Sequence, residues 1–149
     1  MTDDILERDF TVGEVPGVLW SPASAPDRAP LVLLGHGGGT HKRWPAMTGR
    51  AHLLVTQGGF HVACIDAPGH GDRPRTPYDD QEIAELYRAR SAGEPEGPVV
   101  VRYNAHLAER AIPEWQSTLD HPQRLPEIGP DAPVGYRDSF AVHRASARW

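Results

Sequence analysis

Cysteine is almost missing from this 149-residue chain, and Cys64 is the only one. A single thiol excludes an intrachain disulfide framework and a cysteine-rich zinc site. Positive charge is also scarce. Fifteen Lys and Arg against twenty Asp and Glu leave a net charge of −5, whereas a nucleic-acid binder shows a basic face. Long hydrophobic runs are lacking too. No stretch approaches the ~18 apolar residues of a membrane helix, and the acidic opening MTDDILERDF has no apolar segment of the signal-peptide kind. The expectation is a cytoplasmic protein with neither nucleic acid nor membrane as partner.

Glycine and proline, by contrast, are plentiful at 15 each, above ordinary usage and suited to a loop-rich globular domain. Phe10–Val12 and Val15–Trp20 read as two strands joined by a Gly-Glu turn, a hairpin. Pro30–Leu34 is a continuous apolar run that ends in Gly-His-Gly-Gly-Gly-Thr. Runs without alternation suit strands covered on both faces, as in a parallel sheet. Pro45–Gln57 carries Met47, Ala51, Leu54 and Val55 at helical spacing and stops at Gly58-Gly59.

Phe60–Asp66 is the next apolar run, and it ends in Ala-Pro-Gly-His-Gly-Asp. Asp79–Arg90 reads as a helix with an acidic first turn and a basic last turn, matching the helix dipole. Ser91–Pro98 reads as a loop. Val99–Asp120 follows as a helix that Pro113 kinks or breaks. Ala132–Tyr136 reads as a short buried strand. Strands alternating with helices in this order predict an α/β fold with a mainly parallel sheet of about five strands and flanking helices.

Two turns carry the chemistry. In Leu33-Leu34-Gly35-His36-Gly37-Gly38-Gly39-Thr40 the glycines let the backbone turn sharply and bring N–H groups close to a ligand. Such groups stabilise the oxyanion that develops in acyl transfer; a tight strand-to-helix turn without a ligand is the plainer alternative. A dinucleotide fingerprint fits poorly, because Thr40 stands where the third glycine belongs, and no Gly-Lys-Ser/Thr follows to make a P-loop. The second turn, Asp66-Ala67-Pro68-Gly69-His70-Gly71-Asp72, lies one β-α unit later.

Together these turns resemble the N-terminal half of an α/β-hydrolase of the serine esterase or dienelactone-hydrolase kind. LLGHGGG looks like that family's oxyanion turn after the third strand, DAPGHGDR like its turn after the fourth, and APVGY like its fifth strand. The resemblance covers residues 10–136 and implies a small-molecule ester substrate, no cofactor, and acyl transfer through an elbow serine. It assigns His36, Gly37, Gly38, Gly39, Gly69, His70 and Gly71 to the oxyanion and substrate cleft.

In the family the fifth strand leads into small-x-Ser-x-small. Here the segment reads Arg137-Asp138-Ser139-Phe140-Ala141, so Ser139 is the candidate nucleophile, with Arg137 in the place of a small residue. His143 is too near in sequence to serve as its base, which normally reaches the serine from a separate loop. The family's later acid and histidine are not present, and the expectation is an inactive fragment. Residues 1–136 then form the N-terminal part of a hydrolase domain with an open edge at its last strand, and residues 137–149 an irregular tail. A shifted reading frame is one origin for that tail: read from the second base of each codon, the code permits small-x-Ser-x-Gly followed by apolar residues.

Other readings are less well supported by the pattern. Cys64 lies mid-strand, as a small buried residue does. His36, His41, His52, His61 and His70, with Asp66 and Asp72, invite a metallohydrolase reading, but no H-E-x-x-H or comparable spacing is present, and no metal is expected. A non-catalytic protein that self-associates through its open sheet edge is the alternative from a different class.

Overall fold

The computed structural model describes residues 4–24 and 28–138. Its elements are β1 (Ile5–Val12), β2 (Val15–Pro22), β3 (Leu31–Gly35), α1 (Pro45–Gly58), β4 (His61–Ile65), α2 (Pro77–Ala92), α3 (Gly97–Gln123) and β5 (Val134–Asp138). The five strands form one open sheet in the order β1-β2-β4-β3-β5. β4, β3 and β5 are parallel, and the β1–β2 hairpin joins antiparallel through β2. The hairpin turns through two residues, where Gly13 supplies a φ of +60°, the conformation that two-residue connections require.

The alternation along each strand sorts its side chains onto two faces. Val18 and Trp20 of β2, Leu34 of β3, and Val62 and Cys64 of β4 pack with Met47, Ala51 and Val55 of α1. Leu19, Leu31, Leu33, Ala63 and Ile65 face the other way. They form a second cluster with Phe10, Ile128 and Ala132, against which Trp115 and Leu119 of α3 pack. The sheet is covered by α1 on one face and by α3 on the other. This explains why β3 and β4 read as uninterrupted apolar runs.

Local signals account for the helix ends. α1 begins with Pro45 in its first turn and stops at Gly59, which is left-handed at φ +66° and donates its N–H to Val55. α2 opens with a capping box in which the Thr76 hydroxyl accepts from the Asp79 N–H, and the Asp79 carboxylate accepts from the Thr76 N–H.

The structure corrects three expectations. α3 runs unbroken through Pro113 and Pro122 for 27 residues, and the loop before it is short, since α2 continues to Ala92. Packing of Trp115 and Leu119 against the sheet, with Thr118 buried between them in sequence, holds the helix where the proline alone would interrupt it. The last strand starts at Val134 and includes Arg137 and Asp138, which pair with Leu34 and Gly35. It is exposed rather than buried: Val134 is 42% and Tyr136 59% accessible, because among the described residues β5 stands at one edge of the sheet, the open edge expected of the last strand. Among the described residues, no helix is long and apolar enough to cross a membrane.

Candidate functional site

Parallel strands β3 and β4 both end in glycine turns, so the two turns emerge side by side at the carboxyl ends of the strands. Between them and α3 lies a cavity of about 580 Å³. His36, Gly37, Gly38 and His70 line it, and so do Tyr136 and Asp138 of β5. Gly39 is left-handed at φ +75° and completes the first turn without lining the cavity.

The ring of His36 joins the two turns. Its Nε2 accepts the Ala67 N–H at 2.9 Å, across from one turn to the other. Nδ1 then carries the proton and donates to the Gly37 carbonyl at 3.0 Å. The Thr40 hydroxyl donates to the same carbonyl at 2.6 Å. Burial lowers the His36 pKa, partly opposed by the hydrogen bond to Gly37, and the neighbouring His70 ring lowers it further. The neutral form is also the one the geometry needs, since a protonated Nε2 could not accept from Ala67.

An ion cluster that the sequence patterns did not reveal holds the second turn. Asp66, fully buried at the end of β4, accepts the Lys42 N–H at 2.8 Å and the Asp72 N–H at 3.1 Å. The Lys42 ammonium lies 2.8 Å from Asp66 Oδ2 and 2.6 Å from Asp72 Oδ2. Burial alone would raise the Asp66 pKa; the hydrogen bonds from Lys42 and Asp72 outweigh it and hold the carboxyl below its ordinary value.

Gly69 and Gly71 serve this packing. Both have positive φ, and a Cβ on Gly71 would strike the Asp66 carboxylate, while one on Gly69 would crowd that of Asp79. These two glycines shape the turn and do not line the cavity, whereas His70 between them does. The His70 ring is oriented by its Nδ1, which donates to the Pro68 carbonyl at 2.9 Å.

α3 is tied to the same turn. Arg73 makes a two-pronged pair with Glu114, both contacts at 2.6 Å, and donates to the Asp66 carbonyl at 3.3 Å. Farther along, Arg110 and the Tyr103 hydroxyl reach Asp79 at 3.2 Å. Burial, and then the adjacent Asp79 charge, push the Tyr103 phenol up to about 12.

At the far side of the cavity Tyr136 lays its hydroxyl over Gly35, so close that a Cβ there would collide with it. A glycine ending an apolar strand is a signal of such close approach. Trp115 meets the Tyr136 ring edge-on, centroids 5.8 Å apart.

The remaining sequence candidates fall elsewhere. Ser139 lies outside the described residues. Cys64 is fully buried, and burial pushes its thiol up to about 12. His61 sits at the start of β4, at the opposite end from the cavity, with Nδ1 2.9 Å from the Ser21 hydroxyl. His41 packs edge-on against Trp44. Among the described residues, no group of three or more His, Cys, Asp or Glu is placed to hold a metal ion.

Neither a protein-family model nor a curated protein matches the sequence. Solved structures do match. A cold-adapted esterase from an Arctic intertidal metagenomic library is 29% identical with a TM-score of 0.59, over 91% of this chain and 50% of that one. A dienelactone hydrolase from Anabaena variabilis is 21% identical, TM-score 0.50, over 91% and 52%. Est1E from Butyrivibrio proteoclasticus, with ferulic acid bound, is 14% identical, TM-score 0.51, over 88% and 41%. The last two likenesses are of fold alone. The chain spans about half the length of the esterase it matches.

Proposed function

We propose, for a chain that belongs to the α/β-hydrolase superfamily, that it supplies the oxyanion end of a site hydrolysing carboxylic esters. The observation that carries this reading is the cavity at the carboxyl ends of β3, β4 and β5, bordered by Gly37 and Gly38. Open α/β sheets bind ligands at that end of their strands. In the reaction a serine hydroxyl attacks the ester carbonyl carbon and its proton passes to a histidine. The carbonyl oxygen gains negative charge, which backbone N–H groups of the glycine turn stabilise. His36 holds the turn in shape through Gly37 and Ala67 and stays neutral.

Ser139 is the candidate nucleophile. Arg137, which pairs with Leu34 in β5, occupies the place of a small residue that the strained turn around such a serine needs. The chain by itself is therefore expected to turn over no ester. Hydrolysis of p-nitrophenyl acetate that disappears in Ser139→Ala would overturn that expectation and place the full reaction in this chain.

The oxyanion role is tested without turnover. The infrared carbonyl band of bound ethyl butyrate should move to lower wavenumber relative to the free ester. Gly39→Val, which forces a β-branched residue to φ +75°, should reduce that shift. An unshifted band in the bound ester would sink the reading.

A second reading is favoured by one specific feature. Among the described residues β5 is hydrogen-bonded to a neighbour on one side only, and it exposes Val134 and Tyr136. Such an edge is a template for pairing with a second copy, which would make the chain a self-associating, non-catalytic protein.

A further inference from the structure

The cavity has a lining that an oxyanion turn does not by itself require. Its wall on the α3 side is mainly apolar, Leu107, Ala108, Ala111, Ile112 and Trp115 with the uncharged amides of Asn104 and Gln116, and Leu33 and Ile65 close it from the sheet. Four ring side chains border it in two contacting pairs. Trp115 and Tyr136 meet edge to face at 5.8 Å, and His36 and His70 are tilted at 5.5 Å. Such rings favour an aromatic guest, which can present either face or edge to them.

The charge on the lining is as telling as its shape. Among the described residues, no Lys or Arg lines the cavity, and Asp138 is the one carboxylate that does. His36 is kept neutral by burial. An anion entering here would lose its hydration without meeting an opposite charge, which is costly. The volume of about 580 Å³ is that of a site for one small organic molecule.

We infer that the cavity selects an uncharged ester bearing an aromatic ring, its ring meeting Trp115 and Tyr136 and its carbonyl directed to the glycine turn. The inference rests on the reading of that turn as the carbonyl end of the site. It names the substrate class that the same site takes. Carboxylate-bearing esters and free aromatic acids are disfavoured by the lining charge.

Binding to the chain, measured by titration calorimetry, tests this without any turnover. Ethyl benzoate should bind at least about tenfold more tightly than benzoate. It should bind about two- to tenfold more tightly than ethyl cyclohexanecarboxylate, the range that ring–ring contact provides. Ala111→Trp, which fills the cavity, should abolish ethyl benzoate binding while the circular dichroism spectrum stays unchanged. Should that variant not fold, Ile112→Lys decides, because Ile112 is 59% exposed and tolerates the change. It puts a cation at the cavity lip and should raise benzoate affinity several-fold relative to ethyl benzoate.

Equal binding of benzoate and ethyl benzoate would overturn the inference. So would parity between the aromatic and cyclohexyl esters, undiminished binding in a folded Ala111→Trp chain, no response of benzoate to Ile112→Lys, or no binding of any of the three. The two readings fail separately. A ring preference with an unshifted ethyl butyrate carbonyl removes the oxyanion role and leaves the aromatic selectivity. A shifted carbonyl with no ring preference does the reverse.

Discussion

The ammonium of Lys42 and the carboxylate of Asp66 form a buried ion pair, 2.8 Å apart, with side-chain exposures of 7% and 0%. Twenty-four residues separate them in sequence, and the pair fastens the segment after the first glycine turn to the start of the second. Breaking such a pair from one side leaves an uncompensated buried charge. Lys42→Met should therefore destabilise the chain by about 3–5 kcal/mol, read from urea midpoints. The double variant Lys42→Met/Asp66→Asn should cost less than Lys42→Met alone. If it costs more, the pair is not what stabilises the turn.

Acid should act on the same carboxylate. The folded pKa of Asp66 lies below its ordinary value, so the unfolded chain binds the proton more readily. Its contribution is complete above the unfolded pKa of about 3.9 and is lost as pH falls through the lower folded value. Melting temperatures taken from pH 5 downward should fall more gently in Asp66→Asn than in the unaltered chain. Parallel slopes would contradict this.

A separate pH response is expected from the buried imidazoles. Burial lowers the pKa of both His36 and His61. Each then contributes stability that is complete above the unfolded histidine pKa of about 6.5 and lost as pH falls through the lower folded value. Between pH 7.5 and 5.5 the chain should lose stability, and His61→Gln should flatten that dependence. A slope unchanged by the substitution would show that the proton is taken up elsewhere.

Cys64 makes a built-in reporter because the chain has one thiol. It is fully buried, and its pKa is pushed up to about 12, so little thiolate exists to react in the folded state. A disulfide reagent should label it only at the rate of unfolding, and at once in denaturant. Complete labelling within seconds under native conditions would mean that α1 does not cover β4 as described.

The exposed strand gives a prediction about association. Val134 and Tyr136 stand on the edge strand at 42% and 59% accessibility. Sedimentation velocity should show the chain associating as concentration rises, and Val134→Lys should shift it toward monomer, as edge charges do. A monomer at all concentrations would remove the self-association reading.

The elements that the sequence announced are those whose signals are local. The Gly13-Glu14 turn, the apolar runs of β3 and β4, the glycine stop of α1 and the acidic start of α2 each depend on residues within a few positions of one another. Pro113 does not break the helix because its penalty is local, whereas the packing of Trp115 and Leu119 that sustains α3 comes from the sheet. The open edge at the last strand was expected from the resemblance; the exposure of β5 was not, since Ala132–Tyr136 reads as a covered strand whereas Val134 and Tyr136 stand open to solvent.

The site divides in the same way. The glycine turns were plain, while Lys42 with Asp66, Arg73 with Glu114, and Trp115 with Tyr136 are partners that only the fold brings together. Gly69 and Gly71 were visible as turn residues. That they make room for carboxylates was not, because the Asp66 carboxylate reaches Gly71 from the start of the turn only once the turn is folded, and that of Asp79 reaches Gly69 from α2.

Tyr136 and Gly35 have a consequence for how the edge strand keeps its alignment. In a strand with one covered face, the apolar pattern fixes register, because a slip by one residue would turn every side chain over. β5 has no covered face, and four of its five residues are exposed. What remains is a notch: the missing side chain of Gly35 receives the Tyr136 hydroxyl from the neighbouring strand. Sliding β5 by one position would offer that notch Gly135 or Arg137 and would withdraw an aromatic wall from the cavity. One ring therefore bears on both the alignment of the strand and the shape of the site, and a side chain at position 35 would disturb both at once.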